Sequence, residues 1–146
     1  MARRFPLQTL LDLTRDNAEA AARTLHTLKG QWYEAEEKLR QLLQYEDDYR
    51  SRLQQSSQRG ISVSEVRNFQ QFLAKLQVAI VQQREEVERC KHRWEQGQLV
   101  WQQHKQKLNA YDTLSERHRK NQLSAESRQE QREQDELASR QRFSDE

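Results

Sequence analysis

Apolar residues recur every seven positions on both sides of Gly60, and this pattern limits what the chain can fold into. The first series is Leu11, Ala18, Leu25, Trp32, Leu39 and Leu53, interrupted once by Glu46. The second series is Val66, Leu73, Ile80, Val87, Trp94, Trp101 and Leu108. A spacing of 3.5 residues kept over so many heptads indicates a coiled coil. We therefore predict an all-α fold, a single antiparallel two-helix coiled-coil hairpin with a C-terminal helical overhang.

Composition supports this fold class over a globular one. Only 34% of the 146 residues are hydrophobic, too few for a conventional core but enough for a two-helix seam. A disordered chain is the competing interpretation of such polarity, but it would not keep apolar residues in register. The residues expected to fill the seam are Leu11, Leu25, Leu28, Trp32, Leu39, Leu53, Phe69, Leu73, Ile80, Val87, Trp94, Trp101, Leu108 and Tyr111.

The break between the two series has the residues of a helix stop and a helix start. Gly60 suits the left-handed residue that ends a helix. Ser62 and Glu65 have the spacing of a capping box, with Ile61 and Val66 at the positions of a hydrophobic staple. Over a hairpin of residues 1–146, we expect a first helix at about 4–58, a turn at about 59–61 and a second helix at about 62–140.

A turn here also predicts which residues face each other, because the numbers of facing residues should sum to about 122. Leu25 then faces Gly97, Ala21 faces Trp101, and large residues meet small ones, as close packing requires. The second helix should be unpaired beyond about residue 115. Its overhang is either a solvated helix or a helix that becomes ordered against a partner.

The sequence contains no recognisable catalytic, cofactor or metal constellation, so we predict a protein that is not an enzyme. It has no Gly-rich phosphate loop, and its histidines and Cys90 lack the grouping of a metal site. No block of the sequence has the clustered cations of a nucleic-acid face, and no segment predicts a small-molecule substrate. The absence of a long apolar run and the lone Cys90 predict a soluble cytoplasmic protein.

Two aromatic residues lie beside the seam, where coiled coils usually carry Glu and Lys. Tyr45 flanks the first helix's seam and Phe72 flanks the second's, and these two columns adjoin in an antiparallel pair. With the edges of Leu42, Tyr49 and Leu76, they would form an exposed patch of the kind that marks interaction sites. The alternative is that the rings fold over the seam and thicken it.

At these residues the chain resembles the flagellar FliJ family, the coiled-coil components of the bacterial flagellar type III export apparatus. The resemblance is carried by Tyr45-x-x-x-Tyr49-Arg50-Ser51-x-Leu53, Gly60-Ile61, Phe69-Gln70-Gln71-Phe72-x-x-x-Leu76-x-x-Ala79-Ile80-x-Gln82, Ala35-Glu36-Glu37-x-Leu39, Trp101, Lys105, Leu108, Ala110, Thr113-Leu114 and Asp135-Glu136-x-Ala138. It covers essentially the whole chain, and the residues outside the seam make it specific.

The resemblance implies a hairpin similar to the central stalk of rotary ATPases. It implies three partners, namely the hexameric flagellar export ATPase, the membrane export gate protein and export chaperones. It also implies a cytoplasmic location at the inner face of the membrane, at the flagellar base. By the same resemblance, the gate-binding residues are Lys38, Leu42, Tyr45, Tyr49, Phe72, Leu76, Ala79 and Gln83. Lys38 and Gln83 differ from the family's Gln and His there.

The region near Leu11–Leu25 and the overhang would then face the ATPase. Two alternative functions stay open. One is a general export chaperone or cargo-escort coiled coil that uses the overhang. The other is the equivalent stalk of a virulence type III secretion system.

Overall fold

The computed structural model consists of two long α-helices joined by a short turn, and it describes residues 3–145. Helix α1 runs over Gln8–Arg59 and helix α2 over Val63–Ser144. Within residues 3–145 there is no β-strand. The predicted all-α helical hairpin is confirmed. Residues 1, 2 and 146 of the predicted hairpin lie outside the described residues.

The turn consists of Gly60, Ile61 and Ser62. Gly60 has φ +85°, the left-handed conformation that residues with a side chain rarely adopt. Its backbone N–H donates to the Ser57 carbonyl at 3.3 Å. Ser62 Oγ accepts a hydrogen bond from the backbone N–H of Glu65 at 3.2 Å, which is the first of the two bonds of a capping box. The end of α1 and the start of α2 therefore each have a local cause.

Both helices differ at their outer ends from the prediction. Helix α1 begins at Gln8 rather than near residue 4, because Pro6 disfavours helical geometry at the preceding Phe5. The backbone N–H of Gln8 instead closes a turn onto the Phe5 carbonyl at 3.1 Å. Helix α2 continues to Ser144, a few residues past the predicted end near 140.

The chain divides into two compact units, and the first is Ala21–Trp101, here called the turn unit. Its most buried residues on the facing helices are Ala35, Leu76, Ile80 and Cys90. A Cβ placed on Gly97 would lie 2.6 Å from Leu28 Cδ1 and 3.6 Å from Leu25 Cδ1. Gly97 thus makes room for two leucines of α1, in the register that the sequence predicts.

Aromatic rings fill other layers of the turn unit. The ring centroids of Trp32 and Trp94 are 5.3 Å apart across the two helices. Trp32 Nε1 is buried without a hydrogen-bond partner among the described residues. Large rings therefore pack here at the expense of one polar contact.

The second unit contains the remaining residues of both helices and is here called the terminal unit. Leu11, Ala18 and Leu108 form its buried cluster, with Tyr111 packed against them. Thr14 is also buried, and its hydroxyl donates to the Leu10 carbonyl at 2.7 Å. All fourteen predicted seam residues of the two units are buried or half-buried.

Pairing in the terminal unit extends farther than predicted. Gln122 Nε2 donates to the Arg3 carbonyl at 2.7 Å, and His118 Nε2 lies 3.2 Å from the same oxygen. The ring of Phe5 lies 5.4 Å from that of His118. The prediction that α2 is unpaired beyond about 115 is therefore wrong by one to two turns, because residues 3–7 continue beside α2 without being helical. Residues 123–145 are all exposed.

Candidate functional site

The turn unit carries an aromatic cluster formed by both helices near the turn. The ring of Tyr49 on α1 lies 4.2 Å from that of Phe72 and 5.0 Å from that of Phe69, both on α2. Tyr49 and Phe69 are half-buried, whereas Phe72 is 40% exposed. Tilted rings at these separations attract each other beyond the area that they bury. The cluster therefore joins the two helices while leaving one face of Phe72 accessible.

Tyr45 is the most accessible aromatic residue near this cluster. It lies one helical turn before Tyr49, on the same side of α1, and is 63% exposed. An aromatic side chain this exposed does not fill the seam. We call Tyr45, Tyr49 and Phe72 the aromatic surface.

The other residues assigned to the gate by resemblance differ in accessibility. Leu42 and Ala79 are half-buried beside the aromatic surface, and Lys38 is exposed. Leu76 is only 8% exposed, so the expectation that its edge is accessible is wrong. It lies at a heptad position of the seam and packs there. Leu76 can support the rings but offers little surface to a partner.

Gln83 also points into the helix pair. Its side-chain Nε2 donates to the backbone carbonyl of Ala35 on α1 at 2.9 Å. Gln83 and Lys38 line a shallow groove of about 310 Å³ together with Glu86, Cys90 and Arg93. The groove is therefore lined in part by residues that the family resemblance assigned to gate binding.

A charged cluster at the edge of this groove was not predicted from the sequence. Arg89 donates two hydrogen bonds to Glu86, and Arg93 donates to the same carboxylate at 3.2 Å. The Arg89 guanidinium in particular holds the pKa of Glu86 below its usual range. Burial, with the hydrogen bond to Glu86, raises the pKa of the Cys90 thiol. The sequence signal for this cluster was the position of Arg89 and Cys90 three and four residues after Glu86, on the same side of α2.

Sequence reasoning also missed two exposed valines on the outer face of α2. Val78 and Val81 are 57% and 55% exposed, at positions that point away from the seam. The signal was their place in the heptad, where polar residues are usual.

Neither a metal site nor a membrane-spanning helix is found in the described part of the chain. Among residues 3–145, no group of three His, Cys, Asp or Glu side chains could hold a metal ion. Neither α1 nor α2, as described, contains a stretch long and apolar enough to cross a membrane.

A protein-family model and two curated relatives show the same family. The family model described as "Flagellar FliJ protein" matches residues 3–145. The flagellar FliJ protein of Escherichia coli (strain K12) is 36% identical over 140 residues, which cover 96% of this chain and 95% of that protein. The flagellar FliJ protein of Salmonella typhi is 35% identical over the same length and shares of each chain.

A solved structure shows the same fold at low identity. It is described as a YscO homolog, CT670, from Chlamydia trachomatis, and it matches with a TM-score of 0.55 and 18% identity, covering 94% of this chain and 93% of that one. At this identity, the likeness shows the fold alone. The matches to the two curated relatives and to the family model span nearly the whole chain, and the protein belongs to the flagellar FliJ protein family, a family of flagellar export components.

Proposed function

We propose that this protein is a non-catalytic component of the flagellar type III export apparatus that couples the hexameric export ATPase to the membrane export gate. In this proposal, the terminal unit engages the ATPase ring and the aromatic surface of the turn unit binds the gate. Export of flagellar subunits, and hence motility, would depend on both contacts. The protein would act in the cytoplasm, at the inner face of the membrane at the flagellar base.

The observation that carries the gate contact is the exposure of Tyr45 and Phe72 beside Tyr49. Tyr45 is 63% and Phe72 40% exposed, whereas Tyr49 anchors the cluster between the helices. Exposed aromatic residues on a rigid support supply much of the binding energy at protein interfaces. Phe72 loses little conformational entropy on binding, because the ring of Tyr49 already packs against it.

Alanine substitution tests this contact with a matched control on the same helix. Tyr45→Ala and Phe72→Ala should each weaken binding to the cytoplasmic part of the gate protein by about 2 kcal/mol and abolish most motility. Tyr33→Ala is the control for Tyr45, because Tyr33 is 54% exposed on α1 but lies away from the aromatic surface. Calorimetric titration measures the affinity, and circular dichroism checks that helicity is unchanged.

Two results would contradict the proposed gate contact. One is an equal loss of affinity in Tyr33→Ala, which would make exposed tyrosines generally important. The other is a loss of helicity in Tyr45→Ala, which would place that ring in the seam. Stimulation of the purified export ATPase by the wild-type protein tests the ring contact separately.

A second candidate function is a general export chaperone or cargo escort. The observation that favours it is the exposed helical segment 123–144, which includes Leu123, Leu137 and Phe143 at 56%, 60% and 81% exposure. Binding of export chaperones or unfolded substrates, without any effect on the ATPase, would favour this candidate. The third possibility is a virulence-system stalk, and it has less support because both curated relatives are flagellar.

A further inference from the structure

The terminal unit brings together five cations that are far apart in the sequence. Arg117, Arg119 and Lys120 lie on α2, and Arg3 and Arg4 precede α1. The carbonyl of Arg3 accepts a hydrogen bond from the side-chain amide of Gln122 at 2.7 Å and lies 3.2 Å from His118 Nε2. These contacts place the cations before α1 beside the cations of α2. All five side chains are exposed. We call Arg3, Arg4, Arg117, Arg119 and Lys120 the basic collar.

Few cations of the basic collar are paired with a carboxylate. Several arginines elsewhere are paired with one three or four residues away, as Arg40 is with Glu37, Arg50 with Glu46 and Arg89 with Glu86. Among the described residues, Arg119 is the one collar member in an ion pair, with Glu116 at 3.0 Å.

The nearby carboxylates do not balance the remaining collar charges. Asp112 already forms an ion pair with Arg15 at 3.4 Å. Glu126 shares with Arg3 a groove of about 480 Å³ that also contains His118 and Gln122. The collar is therefore left with an excess of positive charge.

The cations also lie on several sides of the helix pair. Successive helical residues are about 100° apart, so Arg117, Arg119 and Lys120 cannot share one stripe of α2. Arg3 and Arg4 add positive charge beside His118, on the chain segment that pairs with α2. A flat bilayer would touch one side of such a group, whereas a partner that surrounds the helix pair can touch all of it.

We propose that the basic collar binds a carboxylate-lined surface of a protein that encircles the terminal unit. The inference rests on the proposed engagement of the export ATPase ring, and it adds the chemistry of that contact. Complementary charges guide association and fix orientation, and their effect weakens as salt screens them. Beyond the collar, residues 123–145 contain six acidic and four basic residues, so the excess of positive charge does not continue along the overhang.

Charge reversal tests the proposal with a control on the same helix. The collar variant is Arg3→Glu, Arg4→Glu and Arg117→Glu. The control variant is Arg128→Glu, Arg132→Glu and Arg140→Glu, which reverses three exposed cations of the overhang. The side chains of Arg3 and Arg4 can change without removing the Arg3 carbonyl that His118 and Gln122 contact. Circular dichroism confirms that both variants keep their helicity.

Three probes are titrated with each full-length variant at low and high salt. They are the purified hexameric export ATPase, the cytoplasmic part of the gate protein, and vesicles that contain phosphatidylglycerol. We expect the collar variant to bind the ATPase about tenfold or more weakly, a change of about 1.4 kcal/mol or more. The control variant should bind as the wild type does, and gate binding should not change. Wild-type affinity for the ATPase should fall as salt rises.

The other outcomes overturn the proposal in distinguishable ways. If the wild type and both variants bind the ATPase equally, the collar is a solvated surface and the proposed function survives. If wild-type protein does not bind the ATPase at all, the ring contact fails and the inference fails with it. If the collar variant loses only vesicle binding, the collar contacts a membrane rather than a protein.

Discussion

The side-chain amide of Gln83 on α2 donates a hydrogen bond of 2.9 Å to the backbone carbonyl of Ala35 on α1. The small side chain of Ala35, itself 5% exposed, leaves room for the amide to reach that carbonyl. A shift by one heptad would place Gln83 opposite Leu28 or Leu42, whose larger side chains would cover the backbone. The contact therefore favours one register of the turn unit, and with it the pairing of Tyr49 and Phe72.

Loss of this hydrogen bond should measurably destabilise the protein. We expect Gln83→Ala to lower the free energy of unfolding by about 1 kcal/mol, the usual net value of an intramolecular hydrogen bond. Gln82→Ala is the control, because Gln82 is exposed next to it, and its effect should stay within about 0.5 kcal/mol. Urea unfolding measures both. Equal losses of stability in the two variants would show that the Gln83 hydrogen bond does not help to set the register of the helices.

The Gln83 contact also marks a limit of sequence reasoning. Heptad spacing predicted the two helices, the turn and the facing pair Leu25–Gly97, because these follow from periodicity and turn chemistry. Spacing could not predict that a glutamine at a seam position turns inward to a backbone carbonyl. The family resemblance assigned Gln83 to partner binding, whereas the structure shows its amide bonded within the helix pair.

The ends of the chain were harder to predict for a different reason. Residues 3–7 lie beside α2 without being helical, so no heptad pattern predicts their position. Their contacts with His118 and Gln122 join residues more than a hundred positions apart. The basic collar depends on that contact, and the sequence shows only two short and separate groups of cations.

Two glycines inside helices should respond differently to the same substitution. A Cβ added at Gly30 would meet no atom within 4 Å, so Gly30→Ala should stabilise α1 by about 1 kcal/mol. At Gly97, a Cβ would lie 2.6 Å from Leu28 Cδ1, which must move. Gly97→Ala should therefore gain clearly less than Gly30→Ala, and Gly97→Leu should destabilise the protein by about 2 kcal/mol.

Thermal unfolding of the glycine variants provides the comparison. An equal gain at Gly30 and Gly97 would mean that the leucines do not pack against Gly97. The helical content of each variant, from circular dichroism, separates local helix propensity from a change in packing.

The aromatic surface should separate stability from binding. Tyr49 packs against both Phe69 and Phe72, so Tyr49→Ala should lower the free energy of unfolding by about 2 to 3 kcal/mol. Phe72→Ala should cost less, because Phe72 is 40% exposed. Tyr45→Ala should cost under about 0.5 kcal/mol, because its ring is largely exposed. Chemical unfolding gives this order, and a cost at Tyr45 equal to that at Tyr49 would contradict it.

The Cys90 thiol should react slowly in the folded protein and should favour folding below its ordinary pKa. Burial, followed by the hydrogen bond and charge of Glu86, raises the pKa of Cys90 above 9.0. The folded state therefore holds this proton more tightly than the unfolded state does. Its contribution to stability is complete below pH 9.0 and is lost as pH rises through the folded pKa. The stability of the wild type relative to Cys90→Ala should therefore fall as pH rises above 9.0.

Alkylation by iodoacetamide measures the same group directly, because the thiolate is the reacting form. The folded protein should react more slowly than the urea-unfolded chain at about pH 8. Cys90 Sγ lies 3.4 Å from Glu86 Oε1, and that carboxylate raises the thiol pKa, so Glu86→Gln should speed the reaction. Arg93, 3.3 Å from the sulfur, acts in the opposite direction and remains in this variant. Glu88→Gln, a neighbouring exposed change, should react as the wild type does, and an unchanged rate in Glu86→Gln would show that Glu86 does not govern the thiol.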